Sequence, residues 1–216
     1  MFGIHSDRLI KNIHVEDAAI KLSAEKFGIH CLIIYPDLPT LREFYSHYIK
    51  NQMEDNNGTV LFAPFYETTD RVRQTLSEGH AAIDVSKFEE EETLLITDAL
   101  KKYFQEAEGE EDEWSFRKMM VKQAKKQGKN GVSILGDMGA FHYKSKIEEL
   151  VEYELSLPTK FDFDLNGFCL YNEKDFERFA GEQKQKLIEH HGIAIKIGHN
   201  GEQQSSWAFN QTKKSL

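Results

Sequence analysis

"GVSILGDMGAFHYKS", residues 131–145, carries the feature on which the fold turns. The apolar run Val132 to Leu135 has strand composition, ends on Gly-Asp-Met-Gly, and is followed by a Lys-Ser pair at Lys144 and Ser145. A strand, a glycine-bearing turn and a helix together form the setting of a nucleotide phosphate loop. That loop needs Gly-x-x-x-x-Gly-Lys-Ser/Thr, because backbone N–H groups wrap the phosphates and only glycine permits the close approach. After Gly139 come Ala140, Phe141, His142, Tyr143, Lys144 and Ser145, so the second glycine is absent and the Lys-Ser pair arrives one residue early. The motif fails, and what is left is a strand with an acidic end.

Outward from that strand, β-rich runs alternate with helical periodicity. Strands are predicted at 29–36, 59–65, 92–98, 132–137, 165–172 and 192–198, and helices near 15–26, 38–51, 68–78, 100–105, 114–128 and 144–155. This order predicts an α/β fold of three layers, a mostly parallel β-sheet with helices on both faces. The domain is read as residues 28–198, with a helical extension over 1–27 packed on the sheet edge and a flexible tail over 199–216. The acidic run EAEGEEDE, residues 106–113, is read as a solvated loop.

Composition narrows the function classes. A formal net charge of −9 speaks against a general nucleic-acid binder, and no apolar segment approaches the length of a membrane span. The N-terminus, MFGIHSDRLIKN, lacks the apolar centre of a signal peptide, so a cytoplasmic location is expected. The two cysteines, Cys31 and Cys169, each lie in an apolar run and are too few for a cysteine-based zinc site. The adjacent His190 and His191 diverge by about 100° on a helix. No metal and no cofactor are therefore expected.

In an open parallel sheet, ligands bind beyond the carboxyl ends of the strands. Those ends are Tyr35, Phe65, Asp98, Asp137 and Tyr171, which suit a polar ligand better than bare phosphate. Asp98 and Asp137 are equally suited to capping the helices that follow them. The loop after Tyr35, Pro36-Asp37-Leu38-Pro39-Thr40, has no glycine, and its prolines remove N–H donors. Further on, Tyr143, Ile147, Leu150, Val151 and Glu154 share a helical stripe that aims the Glu154 carboxylate at the sheet. A buried carboxylate must be paired, hydrogen-bonded or protonated, so Glu154 either ties helix to sheet or faces a ligand. His30 and His190 stand at element ends, where histidine commonly serves as a structural donor. No Ser-His-Asp order and no Gly-x-Ser-x-Gly elbow is present.

"HCLIIY", "GDMGAF", "LVEYELSLP", "GFCLYN" and "LIEHHGIAI", in this order from His30 to Ile197, resemble the MEDS family, the sensory domain named from methanogens, methylotrophs and the regulator DcmR. The resemblance implies a RecA/KaiC-like fold without a working phosphate loop, and a stand-alone sensory or signalling module that binds a small organic ligand. The family's signature positions fall on His30 and Tyr35, Asp137 (often glutamate in the family), Tyr153 and Glu154, Cys169 and Tyr171, and His190 or His191. No helix-turn-helix domain is expected in the short stretch before His30. Action through a signalling or transcription-regulatory protein partner is expected, without direct DNA binding. The alternatives are a divergent RecA-like ATPase with Asp98 or Asp137 holding magnesium, and an interaction protein without a ligand. No enzyme activity is expected.

Overall fold

The computed structural model describes residues 10–104 and 113–200. Seven strands form one sheet: β1 (Lys11–His14), β2 (His30–Tyr35), β3 (Thr59–Ala63), β4 (Leu94–Ile96), β5 (Val132–Asp137), β6 (Leu165–Asn172) and β7 (Ile193–Gly198). They lie in the order β1-β7-β2-β6-β5-β3-β4 and every pairing is parallel. The six strands expected from sequence are all present. The seventh, β1, alternates weakly in KNIH and was not expected; it is a short edge strand, as is β4 at the opposite edge.

Helices cover both faces, giving the three layers. On one face lie α1 (Val15–Ala24), α2 (Leu38–Lys50), α3 (Thr69–Glu78) and α4 (Val85–Glu90), packed on Cys31, Ile33, Tyr35, Phe168 and Leu170. On the other lie α5 (Ala99–Phe104), α6 (Glu113–Lys126), α7 (Gly139–Tyr143), α8 (Ile147–Ser156), α9 (Glu173–Phe176) and α10 (Gly181–His190), packed on Leu32, Ile34, Ile134 and Cys169. Strand β2 is buried along its whole length, which is why it reads as a continuous apolar run rather than an alternating one.

The connections place a crevice. From β2 the chain crosses by α2 toward β3 on one side, whereas from β6 it crosses by α9 and α10 to β7 on the other. Neighbouring β2 and β6 therefore send their loops in opposite directions, a topological switch point at their carboxyl ends. Most boundaries shift by one or two residues from the sequence reading, and one shift bears on the site. The helix expected over 144–155 begins at Ile147, because Ser145 takes a left-handed backbone (φ 56°) that breaks it from α7. Tyr143 consequently leaves the stripe and is exposed. The tail beyond residue 200 and nearly all of the acidic run lie outside the described residues. Among the described residues, no helix is long and apolar enough to cross a membrane.

Candidate functional site

At the carboxyl edge, on the face covered by α1 and α2, Tyr35 donates its hydroxyl to Asp137 Oδ2 at 2.9 Å, and the Gly139 N–H donates to Oδ1 at 2.9 Å. Both side chains are fully buried. Burial pushes the Asp137 carboxyl up to about 7, against the lowering effect of the hydrogen bonds from Gly139, Tyr35 and Phe65. Burial, and then the Asp137 charge, raises the Tyr35 phenol. Beside them Tyr66 donates to Asp175. The two glycines of the Gly-Asp-Met-Gly turn admit side chains rather than phosphates. A Cβ on Gly136 would fall 2.0 Å from Tyr103 Oη, and one on Gly139 would fall 2.5 Å from Phe65 Cδ1 and 2.7 Å from Tyr66 Cε2. At the start of α2, Asp37 Oδ1 accepts the Thr40 N–H at 2.9 Å, so a carboxylate already occupies the helix end where an anion would dock.

The opposite face carries a second cluster, centred on Glu154. Stripe positions of α8 turn Leu150 and Glu154 inward, and alternation on β6 turns Cys169 and Tyr171 to the same face. Tyr171 donates to Glu154 Oε1 at 2.6 Å, and the Cys169 thiol lies 3.1 Å from Oε2. His30 Nε2 and His191 Nε2 stand 3.6 Å and 3.4 Å from that same oxygen. Each imidazole has its Nδ1 against a carbonyl, Pro158 O at 2.9 Å for His30 and Leu187 O at 2.7 Å for His191. Glu154 is fully buried, and the other four residues are at most 5% exposed.

Burial is the largest influence on the Glu154 carboxyl and raises its pKa, but the imidazoles of His191 and His30 outweigh it and hold it well below the usual range. Burial lowers His30 to about 4. It also raises the Cys169 thiol and the Tyr171 phenol, helped in both by the Glu154 charge. A small cavity of about 20 Å³ adjoins this cluster, bounded by His30, Cys169, Tyr103, Arg117, Met138 and Tyr153 among others. A larger surface hollow of about 250 Å³ lies at the amino ends of the strands, lined by Ser23, Phe27, Gln52 and Asn130 among others, away from both clusters.

The residues singled out from sequence thus divide in two. Tyr35 and Asp137 pair on one face, with Phe65 packed against Gly139; His30, Glu154, Cys169 and Tyr171 converge on the other. The expected meeting of Tyr171 with Tyr35 and Asp137 does not occur. Tyr171 pairs in register with Ile34 and so points away from Tyr35. Asp98 joins neither group: it is exposed and caps α5 by accepting the Lys101 N–H at 3.0 Å. Tyr153 sits at the cavity wall and accepts from Arg117 Nη2 at 2.7 Å. Of the two adjacent histidines, His190 is half-buried and bonds Leu157 O at 2.6 Å, while His191 is the one turned into the cluster. The usable signal was the spacing of His191 four residues after the buried Leu187.

Fold and site together define a three-layer α/β domain with a buried polar cluster and no phosphate cradle at its switch point. The family model for MEDS, the methanogen/methylotroph DcmR sensory domain, matches residues 29–192, and the chain belongs to that family. No curated protein matches the chain.

Proposed function

We propose that this chain is a stand-alone sensory module that binds a small organic molecule on the α8 face of the sheet and reports its occupancy to a protein partner, in transcriptional or two-component regulation. Membership of a sensory-domain family supports the role. One observation carries the location: His30, Glu154, Cys169, Tyr171 and His191 bring polar and ionisable groups together in the interior, beside a cavity. Such a concentration of perturbed groups costs stability and marks a site rather than a core. A volume of about 20 Å³ is that of roughly one water, so the ligand is very small or enters as α6 and α8 separate.

The Tyr35–Asp137 pair is the weaker candidate, because its donors and acceptors already satisfy one another. A RecA/KaiC-type ancestry accords with β2 lying centrally between β6 and β7. ATP turnover is disfavoured by the Asp37 cap and by the aromatic rings that occupy the space beside Gly136 and Gly139. Two buried, unpaired cysteines suit a reducing cytoplasm. Native mass spectrometry of protein taken from cells that express it naturally tests the reading. A retained small molecule that is lost in Glu154→Gln supports it, and retention unaffected by Glu154→Gln overturns the placement.

A further inference from the structure

The Glu154 cluster has an arrangement that ligand binding alone does not require. A carbonyl oxygen only accepts, so Pro158 O and Leu187 O fix the proton of each imidazole on Nδ1. Each Nε2 is thereby left facing Glu154 Oε2 as the ring nitrogen open to a metal, and Cys169 Sγ lies 3.5 Å from His30 Nε2 and 3.1 Å from the same oxygen. The Cys169 thiol donates its proton to Glu154 Oε2, and a divalent cation in place of that proton would join both imidazole nitrogens, the carboxylate oxygen and the sulfur. Imidazole anchored through its second nitrogen to a carbonyl is also the arrangement that orients histidine as a metal ligand.

The spacing fits a metal ion. Bonds of about 2.0–2.3 Å in a tetrahedral site place neighbouring donor atoms roughly 3.3–3.7 Å apart. Four of the donor–donor separations here are 3.1, 3.4, 3.5 and 3.6 Å, and all donor atoms lie within 4.8 Å of one another. Tyr171 holds Oε1 by its hydrogen bond and leaves Oε2 facing the other donors. Charge also balances: with two neutral imidazoles, a thiolate and a carboxylate, a divalent ion gives a neutral buried centre. Binding displaces the Cys169 S–H proton to solvent.

We propose that His30 Nε2, Glu154 Oε2, Cys169 Sγ and His191 Nε2 bind one divalent cation of the zinc class in a closed tetrahedral site. The mixed nitrogen, sulfur and oxygen set selects a borderline ion over magnesium or calcium. Four protein ligands leave no open position for a catalytic water, so the ion locks α8 and the turn after α10 onto β2 and β6. Its regulatory role, though not its geometry, rests on the sensory reading.

The test uses the full-length protein, stripped with a chelator and then given zinc chloride or cobalt(II) chloride alone. One zinc per chain should survive desalting. The cobalt form should show a thiolate-to-metal charge-transfer band and the intense visible absorption of a tetrahedral ion. Cys169→Ser should remove the charge-transfer band, Tyr171→Phe should weaken binding by roughly 10–100-fold, and His80→Gln, on the surface beside His47, should change neither. No retained metal, a cobalt spectrum without a thiolate band, or a band that survives Cys169→Ser overturns the proposal. Should Cys169→Ser fail to fold, the wild-type spectrum and Tyr171→Phe decide. The two readings fail separately: a small molecule retained through Glu154 in protein that takes up no metal leaves the sensory reading standing, and a metal-loaded protein with no organic ligand leaves only the metal.

Discussion

At the scale of single residues, Asp137 and Glu154 are both fully buried carboxylates, yet their surroundings push them in opposite directions. Asp137 titrates at about 7 in the fold against 3.8 for an ordinary aspartate, so between those values the native state holds a proton that the unfolded chain has lost. Its contribution is complete below the ordinary value and is lost as pH rises through about 7. Tyr35, Tyr66, Asp175 and the backbone N–H groups of Gly139 and Phe65 face it. Asn at this position cannot titrate but can still accept from Gly139. Urea unfolding at pH 5 and pH 8 should therefore show wild type losing on the order of 1–3 kcal/mol relative to Asp137→Asn; parallel behaviour of the two would contradict the buried acid. Glu154→Leu removes the acceptor of the Tyr171 hydroxyl and of the Cys169 thiol and should cost about 3 kcal/mol or more in metal-free protein. Glu154→Gln keeps the Tyr171 bond and offers an N–H to the imidazoles, and should stay within about 1 kcal/mol of wild type by denaturation. The inward aim of Glu154 was legible from its spacing with Leu150. The separation of Tyr171 from Tyr35 was not, because it depends on the register between β2 and β6, and one residue of offset moves a side chain to the other face.

At the scale of elements, the Gly-Asp-Met-Gly turn and the α2 start hold side chains where a phosphate loop would leave open backbone. Gly139→Ala should destabilise the fold by about 1–3 kcal/mol through its clash with Phe65 and Tyr66. If Tyr66 is the obstruction, the same change in a Tyr66→Ala background should cost clearly less; an equal cost in both backgrounds would assign the strain to Phe65 or the backbone. Asp37→Ala should cost about 0.5–2 kcal/mol as a lost helix cap, read as a lowered melting temperature, without conferring ATP binding by calorimetry. Buried strands and long helices were readable because burial on both faces writes continuous apolar runs and amphipathic stripes. Strand β1 was not, since four residues at an edge of which only Ile13 is buried carry little pattern, and α7 was not, since its five residues are too short for a period. The choice between His190 and His191 turned on one helical position at the end of α10.

At the scale of the whole molecule, the parallel sheet separates two clusters that the sequence set side by side, and the proposed recognition site lies on the α8 face. The central claim is that Glu154 and not Asp137 governs ligand response. It is tested most directly by thermal-shift measurements with a panel of one- to three-carbon alcohols, amines and halides, run in parallel on wild type, Glu154→Gln and Asp137→Asn. A compound that raises the wild-type melting temperature should also raise that of Asp137→Asn but not that of Glu154→Gln. A response lost in Asp137→Asn and kept in Glu154→Gln would contradict it.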